Sequence, residues 1–176
     1  ILISSGYESI NQASLDGTGK RSMAEAHRET AAAQFREGII PSGNWMFGFD
    51  WDGPDIFERT LDFLDSADLL HCSFTTEIPF PGTAAWKTYR LEQRLLTADY
   101  DDYVGKEHVV VKPQRMTPTQ LRDGVRWLAT HYYSAGRCAT RAMKAASNSK
   151  LAPLVTFTRL PALAGLQAFQ WWQWHY

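Results

Sequence analysis

A chain of 176 residues, 44% hydrophobic and 21% charged, is long enough for one domain with a real core and has the composition of a globular protein. A net charge of -1 supplies no basic field, so composition gives no support for nucleic acid as a partner. No apolar run reaches the roughly 18–20 residues of a membrane span, no leader peptide is evident, and Cys72 and Cys138 form no C-x-x-C pair, so a reducing, cytoplasmic setting is expected.

The chain opens on Ile1-Leu2-Ile3, which runs directly into Ser4-Ser5-Gly6. Three apolar residues with no polar lead-in read as a buried strand entered in mid-fold, and a cut through a larger protein is the expectation. Polar Glu8, Ser9, Asn11 and Gln12 follow, then a turn at Asp16-Gly17-Thr18-Gly19. Residues 20–37 are rich in Ala, Glu and Arg and predict a helix. Ala24, Ala31, Ala32 and Phe35 supply its apolar stripe, and Gly38 stands where a helix-ending glycine belongs. A short loop with Pro41 and Gly43 leads to a second buried strand, Trp45 to Phe49, with residues 50–54 as its exit. Residues 55–66 predict a helix with Ile56, Leu61, Phe63 and Leu64 on one face, and Asp55 reads as its cap. A third strand is expected over 69–76, closed by Pro79-Phe80-Pro81-Gly82-Thr83.

Strands separated by helices of this length imply βαβ units, a parallel sheet and an α/β fold. Polar residues at strand C-termini are then site candidates, and Glu8-Ser9, Asp50 to Asp52 and Glu77 all fall there. Further on, residues 84–97 read as helical, 99–103 as a polar and aromatic loop, and 109–111 as a short strand stopped by Pro113. Thr117-Pro118-Thr119-Gln120 is a helix start with cap, first-turn proline and reciprocal Gln, running to about Tyr133. Another helix is expected over 139–146. The tail from Leu151 carries Trp171, Trp172 and Trp174; it has almost no Lys or Arg for anionic lipid, so docking on the fold is preferred over a membrane surface. The five histidines show no i, i+4 pair, which argues against zinc, and Cys72 in a buried strand reads as core.

No phosphate loop, dinucleotide fingerprint, H-E-x-x-H or nucleophile elbow is present. What the chain does carry is an ordered string of short motifs: residues 6–15 (GYESINQASL), Glu37-Gly38-Ile39, residues 46–52 (MFGFDWD), residues 79–83 (PFPGT) and Met116-Thr117-Pro118. Over about residues 1–145 this succession resembles the C-terminal half of radical S-adenosylmethionine enzymes, closest to those with a cobalamin-binding domain. The resemblance implies half of a partial (β/α)6 TIM-like barrel, its last three strand-helix units at 1–83. A mostly helical C-terminal extension at 84–146 and an aromatic-rich tail at 147–176 follow. It implies S-adenosylmethionine contacts from Glu8 and Ser9, from Met46, Phe47 and Gly48 along the adenine, and more loosely from Asp50 or Asp52. It also implies a [4Fe-4S] cluster whose C-x-x-x-C-x-x-C ligands are not in this chain, for which Cys72 and Cys138 cannot substitute, and a parent protein that holds a cobalamin and acts as a cobalamin-dependent methyltransferase or a related oxidoreductase. The expected partners are therefore the missing N-terminal half of the same protein and a small hydrophobic substrate. The chain alone is expected to be inactive, and poorly soluble or partly molten through its open sheet edge. Two other readings remain open on the residues: a half-barrel that binds without catalysis, and a hydrolase or aldolase barrel using Glu8, Asp50 and Glu77 as acid and base groups.

Overall fold

The computed structural model describes residues 1–18, 23–104 and 108–152. Three strands, β1 (Leu2–Glu8), β2 (Ile40–Phe47) and β3 (His71–Thr76), form a parallel sheet in the order β1-β2-β3. Helices α1 (Gln12–Gly17) and α2 (Ala26–Arg36) follow β1, and α3 (Ile56–Ser66) joins β2 to β3. Beyond β3 come α4 (Ala84–Leu91), α5 (Pro118–Tyr132) and α6 (Ala135–Ser147). The α/β class and parallel sheet are as expected. The finer picture of a half-barrel is not what three strands by themselves establish.

Alternation along the strands decides which face is covered. Tyr7, Trp45, Phe47, Cys72 and Phe74 point to the helical side, where they pack with Ile56, Phe57 and Leu61 of α3 and with Leu121, Val125 and Leu128 of α5. Cys72 is fully buried there, and burial pushes its thiol up to about 11, so it behaves as a core residue. The opposite face is polar and more open: Ser4 and Ser73 both donate to the Asn44 side-chain oxygen, at 3.2 and 2.7 Å. The described residues thus assemble a main core on their own sheet, with two smaller apolar clusters, one around Ile40 and Leu70 and one around Tyr89 and Val110. The expectation that this chain needs a missing N-terminal half as its partner is corrected on that ground, since the packing of β1, β2, β3, α3 and α5 is internal to it.

Local chemistry explains where the elements start and stop. Thr117 and Gln120 form the reciprocal capping box at the start of α5, and Thr83 caps α4 by accepting from the Trp86 amide. Gly38 adopts φ 74° just after α2, which permits the helix-ending turn. Asp55 does not cap α3; its carboxylate pairs instead with Arg59 one turn on, at 3.1 Å. Strand β2 begins five residues earlier than expected, passing through Pro41 and Gly43, because Leu2 to Gly6 on one side and His71 to Phe74 on the other offer it partners. The helix expected over 84–97 ends at Leu91. Gln93 has φ 56°, and the chain then pairs antiparallel with the segment around Val111, through Leu96 to the Val110 carbonyl at 2.9 Å and Lys112 to the Arg94 carbonyl at 2.8 Å. Most of the tryptophan-rich tail, from residue 153, lies outside the described residues. Among the described residues no helix is long and apolar enough to cross a membrane.

Candidate functional site

At the C-terminal edge of the sheet lies a cavity of about 610 Å³, the location where open parallel sheets place their ligands. Glu8 from the end of β1, Asp50 from the β2 exit loop and Glu77 just past β3 all line it. Met46, Phe49, Trp51 and Phe80 give it apolar and aromatic walls, and α4 closes one side with Ala84, Thr88 and Tyr89.

Each acid is held differently. Glu8 sits at a shift in strand register and has φ 62°, a conformation that non-glycine residues seldom adopt. The Ser9 amide donates back to the Tyr7 carbonyl at 2.8 Å, so Glu8 occupies the apex of a tight turn that aims it at the cavity. Such strain, of order 1–3 kcal/mol, persists where the surroundings enforce it and is concentrated at functional sites. Asp50 is clamped by Arg94, whose two terminal nitrogens both donate to its carboxylate, one at 3.2 Å. Arg94 is only 7% exposed, lies 4.6 Å over the Tyr89 ring, and also pairs with Glu92 at 3.0 Å. Glu77 accepts from the Tyr89 hydroxyl at 2.7 Å. Burial, reinforced by the negative charge of Asp50, pushes Glu77 up to about 6, against the opposing pull of Tyr89 and Arg94. Tyr89 is raised in turn by burial and by Glu77, so it stays a donor.

Of the residues expected to touch a cofactor, Glu8, Met46 and Asp50 are brought together on the cavity. Ser9, Phe47, Gly48 and the alternative Asp52 are directed elsewhere. Ser9 is 2% exposed; its hydroxyl accepts from the Asn11 amide at 3.0 Å, and its carbonyl meets His27 at 3.0 Å. Phe47 packs on the helical side against Phe57 and Phe74. Gly48 does serve a close approach, but to α5: a Cβ there would stand 2.8 Å from the Leu121 side chain. Asp52 is fully buried, accepting from Ser14 at 2.7 Å and from the Gly48 and Phe49 amides at 3.3 and 3.2 Å. Its role is to organise the loop that carries Asp50 and Trp51. The 79–83 segment does reach the cavity, through Pro79, Phe80 and Thr83.

Sequence reasoning passed over Tyr89, Arg94 and Trp51. Glu92 to Leu96 are good helix formers and read as a continuation of α4, so nothing local announced a 44-residue pairing of Arg94 with Asp50. Helix α1 was not expected either, since its residues read as a polar stretch and a turn; Asn11 caps it by accepting from the Ala13 amide, and Gly17 is its last residue. That glycine matters to the site: the Trp51 ring lies over it, in the space a Cβ would take.

Comparison with known proteins adds chemistry to this geometry. No family model matches the chain. It is similar to a bacteriochlorophyllide d C-12(1)-methyltransferase of Chlorobaculum tepidum, 26% identical over 141 residues, which cover 80% of this chain and 30% of that protein. It is also similar to an uncharacterized methyltransferase of Pyrococcus horikoshii, 24% identical over 128 residues, covering 73% of this chain and 28% of that one. The chain therefore spans less than a third of the length of the curated relatives it matches.

These findings correct the expectation drawn from the short motifs. The relatives are named as methyltransferases, and neither name carries radical S-adenosylmethionine chemistry. The iron–sulfur cluster, the cobalamin and the oxidoreductase-like parent rested on that resemblance alone and are withdrawn with it. Among the described residues no group of three or more His, Cys, Asp or Glu side chains is arranged to hold a metal ion. Similarity to methyltransferases takes the place of the radical assignment.

Proposed function

We propose that this chain forms the S-adenosylmethionine pocket of a methyltransferase, with the cavity at the C-terminal edge of the sheet as the cofactor site. The observation that carries the proposal is the convergence of Glu8, Asp50 and Glu77 on one cavity lined by Met46, Phe49 and Trp51. The donor set suits the ligand. A carboxylate can accept from two ribose hydroxyls at once. Aromatic walls suit an adenine face and a positively charged sulfonium alike. The volume, about 610 Å³, falls within the range of small-molecule sites. When bound, the cofactor supplies an electrophilic methyl group on a cationic sulfur, which leaves as a neutral thioether.

The residues of the chain bind and orient. Glu8, fixed at the apex of its turn, contributes a carboxylate to the cavity wall. Arg94 neutralises part of the charge on Asp50 and holds it in place, so the three acids do not repel one another unchecked. Glu77 and Tyr89 form one hydrogen-bonded pair on the wall nearest α4. Similarity to methyltransferases supports this reading from outside the structure.

Titration of the folded protein with S-adenosylmethionine by calorimetry tests it. Saturable binding is expected, and Glu8→Gln is expected to weaken it about tenfold, the worth of one charge-assisted hydrogen bond. A folded protein that binds no S-adenosylmethionine, or a Glu8→Gln variant that binds as well as the parent, would sink the assignment.

A further inference from the structure

Helix α4 separates two cavities. Thr88 and Tyr89 face the site described above, while Trp86 and Arg90 face a second cavity of about 410 Å³. Leu95, Leu96, Tyr100 and Tyr103 complete the walls of this second space. We propose that it is a separate binding site for a flat apolar ring system bearing a carboxylate or a similar anion.

Three features define the ligand. The walls are apolar and aromatic, and two of them, Tyr100 and Tyr103, stand edge to face with ring centroids 5.8 Å apart, a corner that receives a flat ring. The indole N–H of Trp86 is buried and has no acceptor. Buried donors in native folds nearly always find a partner, so an acceptor supplied by a ligand would complete the site. The Arg90 guanidinium lies 5.1 Å over the Trp86 ring and makes no ion pair among the described residues. A planar fork of donors beside an unsatisfied N–H is suited to a carboxylate.

The nearby acids do not occupy that role. The Asp99 side chain accepts from the Asp101 amide at 3.0 Å, and Asp102 accepts from the Thr97 hydroxyl at 2.7 Å, so both are engaged in the loop's own turns. Neither they nor Asp101 line the cavity. The same hydrogen bonds stiffen the wall, with the Tyr103 hydroxyl directed to the Thr97 carbonyl at 3.4 Å.

Ligand-observed NMR with 2-naphthoate, and with the neutral 2-naphthamide as control, tests the proposal on the whole chain. Binding of the acid in the range of roughly 0.1–1 mM is expected, as befits a small ligand, with the amide about tenfold weaker. Trp86→Phe keeps an aromatic ring and removes the donor; it is expected to weaken the acid about fivefold. Arg90→Gln is expected to abolish the preference for the acid, and Arg90→Lys to restore part of it. Excess S-adenosylmethionine should leave the naphthoate signal unchanged, because it is directed to the other side of α4; failure of that ligand to bind would therefore not touch this result. Equal binding of acid and amide, no binding of the acid at several millimolar, unaltered binding in both Trp86→Phe and Arg90→Gln, or displacement by S-adenosylmethionine would each overturn the second site.

Discussion

Replacing Asp52 by Ala is expected to lower the stability of the folded chain by about 3 kcal/mol, because a buried charged acceptor serving three donors is removed. The Ser14 hydroxyl and the Gly48 and Phe49 amides would be left in a region where Asp52 itself is 0% exposed, so water cannot readily replace it. For a chain of this length that loss corresponds to a fall in Tm of roughly 6–12 °C. Asp52→Asn should lose less, since one acceptor oxygen remains. The loss is not confined to stability. Asp52 ties α1 to the β2 exit loop, and that loop carries Asp50 and Trp51 to the cavity wall. Affinity for S-adenosylmethionine should therefore fall in both variants even well below their melting temperatures. Thermal unfolding followed by circular dichroism, with calorimetric titration at 15 °C, separates the two effects. An Asp52→Ala variant that melts with the parent would show that the Ser14, Gly48 and Phe49 donors find other acceptors.

The same carboxylate illustrates what the sequence discloses and what it hides. Apart from α1, the order of strands and helices, the turn at Gly38 and the capping box at Thr117 are local patterns, and local patterns are legible. That polar residues at the ends of the three strands would meet was also legible, since parallel strands leave their C-termini on one edge. What could not be read was the division of labour between neighbours. Asp50 and Asp52 are alike in type and two residues apart, yet one faces the cavity and the other is sealed beneath it. Met46 and Phe47 are adjacent, and strand alternation sends one to the cavity and the other to the core; only the register decides which. Arg94 was hidden for a different reason. Its segment has good helix propensity, and pairing with the stretch around Val111 overrides that preference through contacts distant in sequence. The resemblance to radical enzymes drew on motifs that lie close to this pocket, but the methyltransferase relatives do not carry that chemistry over by name.

Glu77→Gln is expected to make the protein more stable and a poorer binder at the same time. The sign of the stability change follows from proton linkage. A glutamate begins near 4.5 when exposed, and in the fold Glu77 is pushed up to about 6, first by burial and then by Asp50. The folded state therefore holds this proton more tightly than the unfolded state. Below about pH 4.5 Glu77 is protonated in both states and costs nothing. As pH rises from there to 6 the unfolded state gives up its proton while the folded state still holds it, so stability declines by about 2 kcal/mol and levels off once the folded state ionises too. Glutamine is neutral throughout, and its amide oxygen can still accept from Tyr89. The variant should accordingly match the parent near pH 4 and exceed it by up to about 2 kcal/mol at pH 8, as read from urea unfolding at the two pH values. Binding should move the other way. The ionised Glu77 is one of three carboxylates facing the cavity, and a cationic ligand gains from each. In the parent, affinity for S-adenosylmethionine should fall as pH drops through about 6; in Glu77→Gln it should already be low and nearly independent of pH across that interval. A variant less stable than the parent at pH 8 would mean that the Glu77 charge is compensated by Arg94 more fully than burial penalises it. In that case the pocket would hold its three acids at no cost to the fold.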